Sequence, residues 1–353
     1  MPAAKKRKID MERKKTLIMG PSLAAPHNII ILRALQLGDL LCTVPAFRAL
    51  RAAYPAARVT LVGLPWAEEF VRRFSHYLDD FIAFPGWPGL PESEPQVAQI
   101  PGFLASIQQQ QFDLAIQMQG SGGITNPLIR LFGARQEAGY YTPGQYRPNE
   151  PFFFPYPEGS HEIKIFTRLL GRLGIPNQGE ALEFPIAADE RQAFTEFQAA
   201  HKLKPGSYAC LHPGARALPR RWHPKKMAVV ADGLSAAGLR VVITGSAAEQ
   251  ELTQAVLSHM RAGALNVVGQ TSLGMLAQLL EHAALLVSND TGVSHIAAAF
   301  GTPSVILFTT SDPNRWRPLN RKLHRAVLNA QSASPGDVLR EAEDFLGGAR
   351  RYA

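Results

Sequence analysis

The sequence predicts an α/β protein with two doubly wound parallel sheets that face a central cleft. From residue 28 onward, short apolar runs rich in Val, Ile and Leu alternate with segments of helical periodicity. This alternation is typical of parallel sheets with helices on both faces. The length of 353 residues, 46% of them hydrophobic, allows two domains with a core each.

The first βα series fills the amino-terminal half. Its clearest helix is predicted over residues 39–53, because apolar residues recur at helical spacing and Tyr54-Pro55 ends it. Another helix is expected over 161–174. The strands of this series are predicted at 29–32, 58–62, 80–84, 112–118 and 138–140.

Residues 141–160 interrupt the pattern with five prolines and several aromatic residues. We expect no regular element at that proline density. Two interpretations stay open: a functional loop whose aromatic side chains stack on sugars, and a structural wrap around the domain.

The second βα series begins after Lys204-Pro205-Gly206, and a last helix over 336–346 is expected to pack back on the first half. Its helices are predicted to start near residues 224, 247, 272 and 291. Its strands are predicted at 208–212, 240–244, 266–268, 285–288 and 304–308. The chain thus divides into a basic arm, an N-terminal domain, a C-terminal domain and a final helix with its tail, over residues 1–27, 28–185, 186–335 and 336–353.

The positive charge is concentrated at the amino terminus. The formal net charge is +8, but residues 1–15 hold seven Lys or Arg against Asp10 and Glu12, which leaves +3 for the rest of the chain. The short run Lys5-Lys6-Arg7-Lys8 matches a nuclear-import pattern, but a disordered solvated arm or contact with anionic lipid explains it as well. Because the body is near neutral, we expect no nucleic-acid partner.

Several features favour a cytoplasmic protein, with peripheral contact at the inner face of a membrane. Leu17-Ile18-Met19 is too short for the apolar core of a signal peptide. No apolar stretch reaches the roughly 18 residues of a membrane span. Cys42 and Cys210 show neither metal-ligand nor redox spacing.

The turn Asp290-Thr291-Gly292 is the most informative motif of the chain. It lies between an apolar strand and a short helix, where free backbone N–H groups and the helix dipole can hold phosphate. Gly292 permits close approach, and Asp290 can accept hydrogen bonds from a sugar. The alternative is an ordinary N-cap at Asp290 with His295 as a core histidine. An aspartic protease is set aside, because the triplet occurs once and a helical segment follows it.

Two further strand-to-helix turns of the second series share this character: residues 212–215 and 244–246. Neighbouring carboxyl ends of parallel strands gather such turns into one pocket. Arg216, Arg220 and Arg221 follow the first turn and can neutralise phosphate, or they belong to a solvated loop. Glu249 can accept from ribose hydroxyls or merely favour a helix dipole.

Asp39 lies where the first strand passes into the first helix. It is either an N-cap or a carboxylate directed into the cleft. As an N-cap it would have a lowered pKa and stay ionised, which suits a base that accepts a proton only as a bond forms.

An ordered set of motifs resembles glycosyltransferase family 9, which includes the ADP-heptose:lipopolysaccharide heptosyltransferases. The resemblance extends over residues 29–317. The motifs are Leu37-Gly38-Asp39, Thr43-Val44-Pro45-Ala46-Phe47-Arg48-Ala49-Leu50, Tyr54-Pro55, His212-Pro213-Gly214 with Trp222, and residues 288–298.

The resemblance implies the GT-B fold, with two Rossmann-like domains of which the first binds the acceptor and the second the nucleotide sugar. It also implies inverting transfer of heptose or a related sugar from an ADP-type donor, without metal or cofactor. The implied acceptor is a lipid-linked, lipopolysaccharide-like or other surface glycan.

By motif position, the resemblance makes Asp39 the general base. Arg221 falls where heptosyltransferases carry a lysine beside the diphosphate, Glu249 lies near their ribose-binding glutamate, and Thr271 lies in the segment that passes the adenine. The full set of expected donor-binding residues is Ala215, Arg216, Arg221, Gly245, Ser246, Glu249, Thr271, Asp290, Thr291, Gly292 and His295.

Two alternative functions stay open. A nucleotide-sugar epimerase of the same architecture would convert the donor without an acceptor. The other alternative is a non-catalytic protein, either one that binds a nucleotide or a nucleic-acid binder, of which the latter would depend on the basic arm for its main affinity.

Overall fold

The computed structural model describes residues 25–349; most of the expected basic arm, residues 1–24, and residues 350–353 lie outside this range. The strands of the first domain are β1 Asn28–Leu32, β2 Arg58–Gly63, β3 Asp80–Ala83, β4 Leu114–Gln117, β5 Gln136–Tyr141 and β6 Phe153–Pro155. Those of the second domain are β7 Tyr208–His212, β8 Arg240–Ile243, β9 Ala264–Asn266, β10 Leu285–Asn289, β11 Ser304–Phe308 and β12 His324–Leu328.

Helices connect most of the strands. In the first domain they are α1 Leu37–Ala53, α2 Ala67–Arg73, α3 Ile100–Gln109, α4 Thr125–Arg130 and α5 Glu162–Arg172. They continue with α6 Ala188–His201, α7 Pro224–Ala236, α8 Gln250–Leu257, α9 Leu273–Glu281, α10 Gly292–Phe300, α11 Pro313–Trp316 and α12 Pro335–Ala349. Within residues 25–349, no helix has the length and apolar character that crossing a membrane requires.

The predicted fold class is confirmed: each domain contains one six-stranded sheet in which all the paired strands are parallel. The strand orders are β3-β2-β1-β4-β5-β6 and β12-β11-β10-β7-β8-β9. When the strands are numbered within each domain and both sheets are read from the same edge, the two domains have the same order, 3-2-1-4-5-6. Each order reverses beside its first strand, and such a switch point opens a crevice at the carboxyl ends of the strands.

The strands form because both faces of each sheet are covered, which favours continuous apolar runs. Ile29, Ile30 and Ile31 of β1 are each fully buried. Helix α1 packs against α10 of the other domain, so that one apolar cluster continues from the first domain into the second. This contact brings the amino ends of the two helices together.

The expectation of no regular element in residues 141–160 is wrong. Phe153–Pro155 forms β6, which pairs with β5 in parallel register and completes the sheet. Proline is tolerated there because β6 is an edge strand, where a missing N–H leaves no partner strand unsatisfied.

The last helix also differs from expectation, because α12 packs on the second domain. Its residues Val338 and Ala342 are fully buried in the second core, and Leu339 lies over Gly233 of α7. Helix α12 covers the face of β11 and β12 that would otherwise be open. Strand β12 was not predicted, because His324 and Arg325 obscure its short apolar pattern. Strand β9 was predicted two residues too late, at 266–268 instead of Ala264–Asn266.

Candidate active site

Two helix amino termini face each other across the domain boundary. Helix α1 follows β1, and α10 follows β10, so both begin at the carboxyl edge of a sheet. A β-carbon on Gly38 would lie 3.3 Å from the Cα of Gly292 and 3.2 Å from Cδ2 of His295. Because neither glycine has a side chain, the two helix termini lie closer together than they could with any other residue at these positions.

A cavity of about 520 Å³ opens beside this contact, and residues of both domains line it. From the first domain these are Leu35, Gln36, Gly38, Asp39 and Glu92, and from the second Arg216, Ala217, Arg220, Asp290, Thr291, Gly292, His295 and Trp316. The loop carrying Glu92 bridges the domains, because Arg216 Nη2 donates to the Glu92 carbonyl over 3.1 Å. The expected base and the expected anion-binding turn thus share one cavity.

Asp39 is the third residue of α1, so the N-cap interpretation is wrong. The N-cap is Gln36, whose backbone N–H donates to Asp39 Oδ2 over 3.2 Å. The pKa of Asp39 is raised, mainly because burial disfavours the carboxylate, with a further increase from Glu162 and opposition from Arg33. The expectation of a lowered pKa is therefore also wrong, because the effect of burial outweighs the contacts that favour the carboxylate.

Asp290 is not the N-cap of its helix either; Thr291 holds that position. The Asp290 side chain is only 4% exposed and lies 4.0 Å from the guanidinium of Arg220. Burial raises the pKa of Asp290, while Ser311 and Arg220 lower it. Asp290 therefore faces the cavity as a carboxylate with a cationic neighbour.

Asn289, the first residue of the Asn289-Asp290-Thr291-Gly292 turn, has a role that the sequence did not indicate: it ties the turns of the second domain together. Its Nδ2 donates to the Pro213 carbonyl over 2.7 Å, and its Oδ1 accepts from the Trp222 backbone N–H over 3.1 Å. Since Asn289 is fully buried, these bonds fix the spacing between the β7 and β10 turns.

His295 is buried in the core, as one interpretation expected, and it also lines the cavity. It is 2% exposed on the inner face of α10, with its ring nitrogens 3.7 Å from Cys42 Sγ. Burial lowers the pKa of His295 to about 4, so the ring is neutral at pH 7. It can donate or accept one hydrogen bond there, but it supplies no charge.

Glu249 folds back on the turn that precedes it. Its Oε2 accepts from the backbone N–H and the hydroxyl of Ser246, over 2.8 and 2.9 Å. Gly214 makes room for this carboxylate, since a β-carbon there would lie 1.9 Å from Glu249 Oε1. The turns after β7 and β8 are thus in direct contact.

The predicted donor residues therefore fall into two groups. Arg216, Asp290, Thr291, Gly292 and His295 line the cavity with Asp39, whereas Ala215, Arg221, Gly245, Ser246, Glu249 and Thr271 do not. The guanidinium of Arg221 donates through Nε to the Ala215 carbonyl over 2.8 Å, and Arg220 is the arginine beside Asp290. Thr271 is half-buried, two residues past Gly269, whose N–H donates to the Gly245 carbonyl.

A buried ion cluster below Asp39 was also missed. Glu162, at the start of α5, bridges Arg33 and Arg315, which belong to different domains. Burial alone would raise the pKa of Glu162, but the two arginines outweigh it and hold the pKa below its usual range. One sequence feature could have indicated this cluster: Arg33, a charged residue, directly follows a strand of isoleucines. In the part of the chain that the structure describes, no group of three or more His, Cys, Asp or Glu side chains is arranged to hold a metal ion.

Two parallel-sheet domains around a cavity lined by both are the architecture of GT-B glycosyltransferases. The fold is similar to that of a glycosyltransferase family 9 protein from Veillonella parvula, with a TM-score of 0.76 and 21% identity over 91% of this chain and 97% of that one. It is also similar to Escherichia coli ADP-heptose LPS heptosyltransferase II, with a TM-score of 0.73 and 20% identity over 92% and 99% of the two chains.

The family is settled by sequence. The model of glycosyltransferase family 9 (heptosyltransferase) matches residues 102–343, and the chain belongs to this family. Among its relatives, lipopolysaccharide heptosyltransferase 2 of Escherichia coli K12 is 24% identical over 344 residues, which cover 92% of this chain and 91% of the relative. The protein is a glycosyltransferase.

Proposed function

We propose that this enzyme transfers heptose or a related sugar from an ADP-type nucleotide donor to a lipopolysaccharide-like or other surface glycan. One observation carries the proposal: Asp39 and the Asp290-Thr291-Gly292 turn line the same cavity from opposite domains. The names of the similar heptosyltransferases support heptose as the sugar and lipopolysaccharide as the acceptor class.

In the proposed reaction the first domain holds the acceptor and the second holds the donor. The acceptor hydroxyl oxygen attacks the anomeric carbon of the donor sugar, and Asp39 takes the hydroxyl proton as that bond forms. The bond between the anomeric carbon and the diphosphate oxygen breaks, and the nucleoside diphosphate leaves with the electron pair. A single displacement of this kind inverts the anomeric configuration.

Positive charge for the departing diphosphate is available from the protein itself. Arg216 and Arg220 line the cavity, and the amino terminus of α10 adds free N–H groups and the positive end of its dipole. Donors fixed where charge develops stabilise the transition state. We therefore propose transfer without a divalent metal, which full activity after exhaustive EDTA treatment would support and a requirement for added Mg²⁺ would refute.

The nucleotide is proposed to lie along the turns after β7 and β8. Glu249 is the acceptor for ribose hydroxyls, and its contact with Gly214 holds it between the two turns. We propose that Thr271 lies beside the adenine, which the hydrogen bond between its loop and the Gly245 turn supports.

The deciding experiment compares the wild type with Asp39→Ala. We expect transfer to be lost in the variant, while affinity for ADP stays within about threefold, because Asp39 belongs to the acceptor side. Asp344→Ala on the exposed face of α12 is the matched control and should keep full activity. Full transfer by Asp39→Ala would overturn the proposal.

A second arm of this experiment separates the epimerase. The wild type is incubated with donor alone, and the sugar is analysed by NMR for an isomer. We expect no isomer without acceptor, and with acceptor a product of inverted anomeric configuration. An isomer formed from donor alone would favour the epimerase.

The basic segment 1–15 is proposed to hold the enzyme against an anionic membrane that carries the acceptor. The full chain should sediment with anionic vesicles at low salt more than with neutral vesicles, and a chain lacking residues 1–15 should lose this preference. Equal sedimentation of the two chains would refute the membrane contact.

A further inference from the structure

Glu162 is a fully buried carboxylate that binds one arginine with each of its oxygens. Its Oε1 is 2.9 Å from Arg33 Nη2, and its Oε2 is 2.8 Å from Arg315 Nε. Arg33 follows β1 in the first domain, whereas Arg315 lies in α11 of the second. One side chain, 2% exposed, thus joins both domains directly below the candidate base.

Arg33 connects this cluster to Asp39. The same Nη2 that binds Glu162 also donates to the Asp39 backbone carbonyl over 3.0 Å. The Arg33 guanidinium lies 4.6 Å from the centroid of the Phe166 ring, and its Nη1 donates to the Met118 carbonyl. These contacts hold the guanidinium in one orientation under the first turn of α1.

Stability is a poor explanation for this cluster. Removing the charges of Arg33 and Glu162 from water costs about as much as their ion pair returns, so apolar residues of similar volume serve a core at least as well. The cluster also lies where the two domains meet, because Glu162 joins Arg33 of the first domain to Arg315 of the second. Its position therefore indicates a role in the candidate active site rather than in the stability of the fold.

We propose that Glu162 is a positioning residue for glycosyl transfer: it holds Arg33 under the backbone of Asp39, joins it to Arg315 of the second domain, and balances their charges. This inference rests on the proposed function, in which Asp39 is the base. Glu162 itself touches neither substrate in this scheme.

The electrostatic consequence depends on every charged group around Asp39. Arg33 follows β1, Glu162 begins α5 and Arg315 lies in α11; Glu92 approaches from the cavity loop and Asp290 from the end of β10. Burial is the main cause of the raised pKa of Asp39, the glutamate adds to it, and the two arginines oppose it. Without Glu162, both arginines would act on Asp39 unbalanced.

The test is Glu162→Gln, which keeps the shape of the side chain and removes its charge. We expect kcat to fall about tenfold or more, because a small displacement of a base is costly. The acid limb of the kcat profile should move to lower pH, since the unbalanced arginines lower the pKa of Asp39. The KM of the donor should stay within about threefold. A wild-type kcat, or a lower kcat with an unmoved acid limb, would overturn the inference.

Arg315→Met is the second variant and decides the matter if Glu162→Gln fails to fold, because Arg315 is 39% exposed and tolerates replacement better. It leaves the charge of Glu162 less compensated, so the acid limb should move to higher pH. Opposite shifts in the two variants are specific to a charge balance at Asp39, and an unmoved limb in Arg315→Met would refute it.

Glu190→Gln is the matched control. Glu190 of α6 forms a 2.6 Å ion pair with Arg73 of α2 and thus also joins the two domains. It should leave kcat and the acid limb unchanged. Asp39→Ala, measured in parallel, separates the two proposals. Activity in Asp39→Ala would refute Asp39 as the base. If Asp39→Ala is inactive while Glu162→Gln has wild-type kcat, only the proposed role of Glu162 is refuted.

Discussion

Gly38 and Gly292 lie against each other across the two domains, with the backbone N–H nitrogen of Gly38 only 3.1 Å from where a β-carbon of Gly292 would stand. Each glycine is at the start of a helix that borders the cavity. The distance between Asp39 and the α10 amino terminus is therefore set by backbone contact, which is more rigid than contact between side chains.

Replacing Gly38 with Ala should separate the two helices. The new methyl group would meet the Gly292 backbone at 3.3 Å, and neither helix can move without disturbing its own core. We expect a loss of about 1–3 kcal/mol in the free energy of unfolding and a loss of transfer activity. Urea denaturation and a transfer assay measure the two effects.

Gly102→Ala is the control for this prediction. Gly102 lies in α3, and nothing stands within 4 Å of its added β-carbon, so stability should rise by about 0.5–1 kcal/mol. Equal behaviour of the two variants would contradict the close contact at Gly38.

The pH dependence of transfer should reflect the raised pKa of Asp39. A base acts only when deprotonated, so activity rises with pH through that pKa. Because burial holds the pKa above its ordinary value of 3.8, the acid limb of kcat should lie above that value. Asp290 also has a raised pKa, so ADP binding must be measured over the same range to separate its contribution. An acid limb at or below pH 3.8 would contradict the burial of the base.

Arg220→Gln should weaken donor binding. Arg220 lines the cavity beside Asp290, and a charge-assisted bond to phosphate contributes about 1.5–3 kcal/mol, or roughly tenfold to a hundredfold in affinity. Titration calorimetry with ADP measures the loss. Arg325→Gln, which lies near Glu341 and Asp344 on the second domain, is the control and should bind ADP normally.

Arg221→Gln provides an informative comparison. Its guanidinium binds the Ala215 carbonyl, so this variant should loosen the β7 turn and affect ADP affinity less than Arg220→Gln does. The reverse order would restore Arg221 as the arginine beside the diphosphate, as the family resemblance implies.

Stability should fall in mild acid because of His324. This histidine is 2% exposed and bound to the Ser304 hydroxyl over 2.8 Å, and burial lowers its pKa from 6.5 to about 4. In the unfolded chain, His324 becomes protonated below about pH 6.5, whereas in the folded protein it stays neutral down to about pH 4. The free energy of unfolding therefore loses about 1.4 kcal/mol per pH unit across that window from this group.

His324→Asn checks this assignment, because it removes the proton without removing a polar partner for Ser304. The slope of unfolding free energy against pH between 6 and 5 should become shallower than in the wild type. His295 has a pKa lowered to about 4 as well, so part of the slope should persist. An unchanged slope in His324→Asn would show that His324 is not a neutral buried histidine.

Local sequence rules were sufficient for most strands of the two sheets and for several of the cavity residues. The turns at Asp39 and Asp290 could be placed because parallel strands end at a common edge, which is a property of the fold and not of any contact. The protonation of Asp39 could not be predicted in this way. Its pKa depends on burial in the folded protein and on charges distant in sequence, Glu162 and Arg315, whereas N-cap rules consider only one helix.

The ion cluster could not be predicted from local sequence rules for a similar reason. Glu162 and Arg315 are separated by 153 positions, and neither lies in a motif. Strand β6 was missed because proline content is weighed without knowing which strands are edges. The direction of α12 was missed because it depends on which sheet still has an uncovered face.

Within residues 25–349, the placement of α12 leaves residues 173–187 as the single covalent passage between the halves, since no strand of the first sheet follows residue 187. A chain of this design is modular. If the second half binds the donor, as proposed, the second half of a relative that takes another activated sugar could be joined at this segment, provided that Gly292 and Arg315, which contact the first domain, are retained. Under the proposed division of the substrates, exchange of halves would change the donor of such an enzyme while keeping its acceptor.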